Sequence, residues 1–339
     1  MKDQNMQNAE TLSLDDVEAL ARDTLARAGA SEQAATSVAR STRAAERDGM
    51  RSHGLLYVPI YAEHLRCGKV EGEAKPKVEQ TRAAALRVDA GSGFAHPAID
   101  DGLPALLEAA SNTGLAAMTI HNSYNCGILG YHSERIAAAG MLGLCFTNAP
   151  ASIAPTGGRK PVIGTNPFSL AVPDGKGGAK FVIDQSASAI AKSEIMLRAR
   201  EGHMLEEGWA FDADGQPTTD PARALEGTMA PSGGQKGFGA GLMVEIFAAA
   251  LSGATLGKDA TPFSGPIGGP PRTGQCFFAI DPQAFSGAGF ADRLEALCEA
   301  LTEQDGTRLP GSRKFAHREK AERDGVAVPA ALLERIINS

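Results

Sequence analysis

The first 70 residues have the hydrophobic spacing of amphipathic helices. Ser13 is placed to cap a helix over 14–27, and two aspartates stand in its first turn. The same pattern predicts a second helix over 32–47 and a third that begins after Gly54 and ends at Gly68. We therefore predict a helical amino-terminal region.

From residue 85 onward, short apolar runs alternate with helical patterns. Strands are predicted over 85–88, 115–120, 142–147, 168–172, 181–183 and 276–280. Helices are predicted over 97–111, 130–139 and 290–303. A loop over 184–200 is predicted to pass into a further helix. The alternation of strands and helices indicates an α/β domain.

Residues 233–241 form a glycine-rich segment that leads into a helix with an apolar face at Leu242, Ile246, Phe247 and Leu251. The stretch Gly237-Phe238-Gly239-Ala240-Gly241 approaches a dinucleotide fingerprint. It lacks the final glycine spacing and follows no clear strand, so it fails as a Rossmann motif. A dinucleotide would have to bind by another route.

Composition narrows the class of protein. The chain has 339 residues and a formal net charge of −7, which suggests about two domains or one large one and argues against nucleic acid as the main partner. Five scattered cysteines, never spaced as C-x-x-C, favour neither a disulfide framework nor a metal site. The polar start and the absence of a long apolar stretch lead us to expect a soluble, cytoplasmic protein with no membrane partner.

The tetrapeptide Arg51-Ser52-His53-Gly54 is the first candidate for catalysis. A histidine titrates near working pH, and a neighbouring serine hydroxyl can relay or orient its proton. The structural alternative is a capped helix start with a histidine that faces solvent.

Four further segments carry polar or cationic groups at positions that suit a ligand. Two of them, 121–127 and 184–188, follow predicted strands, where α/β proteins bind ligands. The segment 231–237 opens a helix with a lysine, which suits an anion, and the turn 310–314 places two cations where a phosphate monoester could bind. Ordinary turns, helix caps and a solvated basic turn remain the alternatives.

Taken together and in order, these segments resemble the malate/L-lactate dehydrogenase family of NAD(P)-dependent oxidoreductases. The matching pieces run over roughly residues 10 to 330: Ser52-His53-Gly54, 123–134, 147–148, 155–158, 164–167, Asp184 with Ser186 and Ser188, 208–215, 217–221, 233–237 and 310–311. The ordered set is specific, although no single piece is.

The resemblance implies an α/β fold that is not a Rossmann fold and has a helical amino-terminal region. It divides the chain into a region 1–75 that carries the Ser-His pair and packs with the carboxyl-terminal part, a cofactor- and substrate-binding core 76–260, and a segment 261–339 that completes the cofactor site. It also implies a homodimer with the cofactor near the subunit contact.

The implied activity is hydride transfer between NAD(P)H and C2 of a small 2-oxo or 2-hydroxy acid that is malate-, lactate- or sulfolactate-like. One alternative is reduction of a cyclic imino acid, Δ1-piperideine-2-carboxylate or Δ1-pyrroline-2-carboxylate. A non-catalytic cofactor-binding regulatory protein is an alternative of another class. A metal-dependent hydrolase is the weakest interpretation, because His53, His121 and His132 lack ligand spacing.

The resemblance also implies residue roles. His53 would donate the proton to the atom on C2, Ser52 would be its relay partner, and Asp184 would orient the site beside the nicotinamide. The implied cofactor contacts are Asn125, Cys126, Gly127, Ile128, Leu129, Ile183, Asp184, Gln185, Lys236, Leu309, Pro310, Gly311, Ser312, Arg313, Lys314 and Phe315. The implied substrate contacts are Tyr57, Thr165, Ala191 and Lys192, and no metal is implied.

Several positions depart from the family's usual pattern. Asn125 stands where many relatives have histidine, and Tyr57 stands where many have an arginine that would grip the substrate carboxylate. That carboxylate would then rest on backbone amides, Arg51 or Lys192. Lys192 also replaces a histidine of imine-reducing relatives and favours a substrate with a second acidic group.

The turn after Pro310-Gly311 bears on the choice of cofactor. Arg313 and Lys314 replace an acidic residue that relatives using NAD often carry there. Cations pair with a 2′-phosphate, whereas an acidic group pairs with ribose hydroxyls. We therefore predict a preference for NADPH over NADH, with NAD kept as the alternative.

Overall fold

The computed structural model describes residues 9–339. The strands in that range are β1 Ala9–Leu12, β2 Lys77–Arg82, β3 Ala85–Asp89, β4 Leu115–Ser123, β5 Leu142–Thr147, β6 Phe168–Pro173, β7 Ala179–Gln185, β8 Ala210–Phe211, β9 Pro217–Thr218, β10 Thr228–Met229, β11 Thr273–Ile280 and β12 Val326–Pro329. The α-helices are α1 Leu14–Arg27, α2 Glu32–Arg47, α3 Val58–Arg66, α4 Ala95–Thr113, α5 Leu129–Ala138, α6 Lys192–Glu201, α7 Pro221–Glu226, α8 Gln235–Glu245, α9 Pro282–Ser286, α10 Gly289–Thr302, α11 Ser312–Asp324 and α12 Ala330–Ile337.

A seven-stranded sheet in the order β2-β3-β4-β11-β5-β6-β7 forms the centre of the molecule. Strands β3 and β4 run parallel, and the other neighbouring pairs run antiparallel. A Rossmann sheet is mostly parallel. The topology therefore agrees with the absence of a dinucleotide fingerprint and confirms the prediction of an α/β fold that is not a Rossmann fold.

Strand β11 comes from a distant part of the sequence and lies between β4 and β5. Its residues are almost all buried, because it carries an apolar run that packs on both faces of the sheet. Helix α4 covers one face, where Ile99 and Leu106 join Met118 and Phe277 in the largest core cluster. Each predicted strand of this sheet is present, with boundaries shifted by a few residues.

The amino-terminal region is helical, as predicted, except at its start. Ser13 caps α1 by accepting a hydrogen bond from the backbone N–H of Asp16 at 3.1 Å. The prediction of an entirely helical region is wrong at β1, which pairs antiparallel with β12 so that Leu12 faces Val326. Local periodicity cannot reveal this strand, because its partner lies more than 300 residues away.

The helix that follows the glycine-rich segment differs from its prediction. Helix α8 already begins at Gln235 and continues into a π-helical turn over Ile246–Ala250. Of the predicted apolar face, Leu242, Ile246 and Leu251 are 42%, 53% and 58% exposed, and the buried side includes Val244. Because the helix is apolar almost all round, its pattern does not indicate which face packs inward, and the extra residue of a π-turn rotates the later positions.

A smaller unit lies between β7 and β11 in the sequence. Strands β8, β9 and β10 form a three-stranded sheet that packs with α6 and α7 around Ile195, Leu205 and Met229. Within the described residues, no helix is both long enough and apolar enough to cross a membrane.

Candidate active site

Ser52 and His53 lie in a 3-10 turn that follows α2. The Ser52 Oγ lies 3.0 Å from His53 Nδ1, and His53 N donates to the carbonyl of Met50 at 2.9 Å. The serine therefore holds one ring nitrogen, and Nε2 is left for another partner. Burial lowers the pKa of His53 below its usual value near 6.5, so a protonated ring here is a stronger acid than free imidazole.

Asp184 lies at the end of β7 and contacts the first turn of α5. Its Oδ2 accepts a hydrogen bond from Gly130 N at 2.9 Å, and a Cβ at Gly130 would lie 2.5 Å from that oxygen. Asp184 opens to solvent on one side, but protein surrounds its carboxyl group on the others. This desolvation raises the pKa of Asp184, and Gly130 N–H and the Lys314 charge oppose the rise.

The predicted cofactor segment 125–129 connects β4 to α5 and is held by side chains from the amino-terminal helices. Asn125 Oδ1 accepts from Tyr61 Oη at 2.8 Å and from Gly127 N at 2.9 Å. Gly127 has a positive φ of 67°, which favours glycine at this tight turn. Ile128 and Leu129 follow at the start of α5. The sequence did not single out Tyr61.

Cys126 belongs to this segment and is buried. Burial raises the pKa of its thiol to about 12, so the thiol stays protonated and unreactive. Its carbonyl accepts from His132 Nε2 at 2.8 Å. His132 thus supports the 125–129 segment from α5.

The chain after Leu309 lies against β7 and brings two predicted cofactor segments together. Val182 N donates to the carbonyl of Pro310 at 3.4 Å, and a Cβ at Gly311 would lie 3.1 Å from Val182 O. Helix α11 then begins at Ser312 beside Ile183–Gln185. The structure therefore joins the ends of segments that are more than 120 residues apart in the sequence.

The two cations of this turn have different surroundings. Lys314 Nζ lies 2.9 Å from Glu134 Oε1 and 3.3 Å from Asp48 Oδ2, and it is only 12% exposed. Arg313 is exposed, and none of the ion pairs found across residues 9–339 involves it. Of the two predicted phosphate contacts, Arg313 alone is free to meet a ligand.

A buried charge network surrounds Lys314. Arg318 pairs with Asp48 and Glu134, each at 3.0 Å, and Arg47 pairs with Asp48 at 2.8 Å. These pairings hold the pKa of Asp48 below its usual value, although burial opposes them. The network joins the end of α2, the middle of α5 and the start of α11. It was missed at the sequence level, because charged residues at helix ends are usually solvated.

Two of the predicted substrate residues, Ala191 and Lys192, lie on the chain that leaves β7, and Thr165, which precedes β6, bonds to that chain. The carbonyl of Thr165 accepts from Ala187 N at 2.7 Å, and Ala189 N donates to the carbonyl of Ala230 at 2.8 Å. Ala191 is the N-cap of α6 and Lys192 is its first residue, both exposed. Lys236 stands exposed in the first turn of α8.

Tyr57 lies beside Tyr61, whose hydroxyl donates to Asn125 of the predicted cofactor segment. The Tyr57 ring centroid is 4.7 Å from that of Tyr61, in edge-to-face contact, and burial raises the pKa of Tyr57. Across residues 9–339 no hydrogen bond or ion pair joins His53 directly to Asp184.

The histidines weighed for a metal site do not converge. His121 Nε2 lies 3.8 Å from Asp89 Oδ2, whereas His132 Nε2 bonds to the carbonyl of Cys126. In the described part of the chain, no group of three or more His, Cys, Asp or Glu side chains could hold a metal ion.

Comparison with known proteins supplies the context for this site. A family model described as malate/L-lactate dehydrogenase matches residues 12–337. A Δ1-pyrroline-2-carboxylate reductase from Ancylobacter novellus is 42% identical over 328 residues, which cover 96% of each chain. A (2R)-3-sulfolactate dehydrogenase (NADP+) from Chromohalobacter salexigens is 40% identical over 326 residues, again 96% of each chain. Among solved structures, a Δ1-piperideine-2-carboxylate reductase from Pseudomonas syringae has a TM-score of 0.91 and 35% identity, covering 97% of this chain and 99% of that one.

Proposed function

The chain belongs to the malate/L-lactate dehydrogenase family, and on that premise we propose that it is an NADPH-preferring reductase of small 2-oxo acids that carry a second anionic group. The observation that carries the proposal is the Ser52–His53 pair, in which the 3.0 Å contact between Ser52 Oγ and His53 Nδ1 leaves Nε2 available to a ligand. Membership makes the chain an NAD(P)-dependent oxidoreductase acting on a small acid or imino acid. The substrate, the cofactor preference and the residue roles are our proposal.

The groups around Asp184 fit a dinucleotide. Arg313 and Lys236 are exposed cations in the first turns of α11 and α8, where backbone N–H groups also favour anions. Ile183, Leu309 and Phe315 provide apolar surface between them. The other cofactor positions of the family pattern lie on the segments 125–129, 183–185 and 309–315. Asp184 at the end of β7 bonds to Gly130, next to the first segment, and Val182 of β7 bonds to Pro310 in the third.

His53 is the proton donor in this mechanism. A bound reduced nicotinamide supplies the hydride for C2. Negative charge develops on the atom attached to C2, and a protonated His53 delivers its Nε2 proton to that atom. Ser52 accepts from Nδ1–H and keeps the ring in position. Asp184 would lie beside the nicotinamide, and it holds the start of α5 through the Gly130 N–H.

Substrate anions have three candidate partners. We assign the exposed Lys192, at the amino end of α6, to the second anionic group. Backbone N–H groups near Thr165 and the exposed Arg51 side chain would bind the carboxylate on C1. The identity to imino-acid reductases supports a second candidate, reduction of Δ1-pyrroline-2-carboxylate or Δ1-piperideine-2-carboxylate. The same His53 proton would then go to nitrogen.

A substrate panel tests the proposal. The rate of NADPH consumption is measured with each substrate. We expect kcat/KM to be higher for oxaloacetate and sulfopyruvate than for pyruvate and Δ1-pyrroline-2-carboxylate. His53→Ala should bind NADPH normally, measured by fluorescence, and lose turnover by about 10²- to 10⁴-fold. A preference for the imino acid would replace the first candidate with the second. Normal rates in His53→Ala would overturn both.

Absence of turnover with every substrate, together with tight NADPH binding, would favour the regulatory alternative. We further propose that the protein works as a homodimer, because an exposed apolar face begins at Leu242, about two turns beyond Lys236, and continues to Ile246 just past the end of α8. The cytoplasmic location remains part of this proposal.

A further inference from the structure

The turn that carries Ser52 and His53 folds back onto the last turn of α2. Met50 N donates to the carbonyl of Ala45 at 2.8 Å, and Leu55 N donates to Glu46 Oε1 at 2.8 Å. The Glu46 carboxylate therefore connects the end of the helix to the residue two positions after the histidine. The turn is held at both ends, with His53 between the two attachments.

Gly54 makes this attachment sterically possible. A Cβ at Gly54 would lie 2.2 Å from Glu46 Oε1 and 2.7 Å from its Cδ, far closer than such atoms can approach. The φ of Gly54 is −93°, so glycine is not needed there for a left-handed backbone. Glycine is needed because the Glu46 carboxylate occupies the space that a Cβ at this position would fill.

A buried carboxylate at this position is costly for folding. Glu46 is 7% exposed, and burial raises its pKa, with the Leu55 N–H and the Arg51 charge opposing the rise. A carboxylate without a full set of partners destabilises a folded chain relative to an apolar residue of similar size. Its presence next to the histidine therefore needs a reason other than stability.

We propose that Glu46 is a positioning residue for His53, and that Gly54 provides the space for it. The carboxylate fixes the 51–55 turn, so that the imidazole presents Nε2 in one orientation. Small displacements of a proton donor cost large factors in rate, and a turn without this attachment would sample several orientations. The inference rests on the proposed role of His53 and adds a residue that does not touch the substrate.

Four variants test the inference. Glu46→Ala is expected to lower kcat about 10- to 100-fold, while the NADPH dissociation constant stays within about twofold. Glu46→Gln keeps a carbonyl oxygen for Leu55 N–H and should retain most of the rate. Gly54→Ala should slow the enzyme by displacing the carboxylate. The double variant Glu46→Ala/Gly54→Ala should be no slower than Glu46→Ala, because both changes break the same contact.

Glu63→Ala, at an exposed position of α3, is the matched control and should keep normal kcat and KM. A kcat within twofold of wild type in Glu46→Ala would overturn the inference, as would equal losses in Glu46→Ala and Glu46→Gln. If Glu46→Ala does not fold, Glu46→Asp replaces it, since aspartate keeps the charge but withdraws it from Leu55 N. A lower kcat in Glu46→Asp than in Glu46→Gln supports positioning by the hydrogen bond. Equal kcat values in the two variants contradict it.

The His53→Ala variant distinguishes failure of the positioning role of Glu46 from failure of the proposed function. Loss of turnover in His53→Ala with a normal rate in Glu46→Ala rejects only the positioning role. Normal turnover in His53→Ala rejects the proposed function itself.

Discussion

The ammonium group of Lys314 lies 2.9 Å from Glu134 Oε1, inside a network of five charged side chains. A cation paired in this way is not available to a phosphate. Its neighbour Arg313 is exposed. The two adjacent basic residues therefore have separate functions, one structural and one proposed for the ligand.

Cofactor preference should depend on Arg313. Replacing it with alanine should lower the NADPH-to-NADH ratio of kcat/KM by about 10- to 100-fold, since one charge-assisted contact contributes ~1.5–3 kcal/mol. Lys314→Met is the control, and it should affect both cofactors to a similar extent and lower the melting temperature. If the ratio changes in Lys314→Met but not in Arg313→Ala, the assignment of the 2′-phosphate to Arg313 is wrong.

The pH dependence should report the His53 imidazole. Burial lowers its pKa below about 6.5, so the protonated form is present below that lowered value and is lost as pH rises through it. The kcat/KM for reduction should therefore fall on the alkaline side, and that for oxidation should rise over the same interval. Steady-state rates in both directions between pH 5 and 8 measure this. Parallel profiles in the two directions would contradict the assignment.

Substrate charge should be recognised by Lys192. Lys192→Met should raise KM for oxaloacetate or sulfopyruvate about tenfold, since one solvent-exposed charge contact contributes on the order of 1 kcal/mol or slightly more. It should leave KM for pyruvate almost unchanged, because pyruvate lacks a second anionic group. Equal effects on monoanionic and dianionic substrates would mean that Lys192 faces elsewhere.

The buried network should set acid stability. Pairing with Arg47, Arg318 and Lys314 lowers the pKa of Asp48, so its contribution is complete above the unfolded value near 3.9 and is lost as pH falls through the folded value. Asp48→Asn should destabilise the fold by ~3–5 kcal/mol at neutral pH, because it leaves buried cations without their partner. Urea unfolding at pH 7 and pH 3 measures this. The difference in free energy of unfolding between wild type and Asp48→Asn should be smaller at pH 3 than at pH 7.

The exposed face of α8 should mediate self-association. Ile246 is 53% exposed, and Ile246→Glu should shift the protein from dimer to monomer by placing a charge in an apolar contact. Leu297→Glu, at 54% exposure on α10, is the matched control and should leave the dimer intact. Light scattering coupled to size-exclusion chromatography measures both. A wild-type monomer would reject the predicted homodimer.

Much of the candidate site was visible in short sequence segments. The Ser52-His53-Gly54 turn, the Asp184 strand end and the Pro310-Gly311 turn each combine residue types with local signals of chain reversal. The absence of a Rossmann motif agrees with the seven-stranded sheet, in which only β3 and β4 run parallel. The resemblance to a family ordered these segments, but it did not give their contacts.

The sequence by itself determined the helices of the amino-terminal region, the apolar strands of the central sheet and the identity of the polar groups at their ends, because these depend on periodicity and capping over a few residues. Tertiary structure alone decided that β1 pairs with β12, that Lys314 faces Glu134, and that Glu46 supports the turn of His53. These contacts join positions that are remote in sequence or face inward against expectation. Their formation depends on which surfaces the whole fold brings together and removes from water, and no local pattern encodes that.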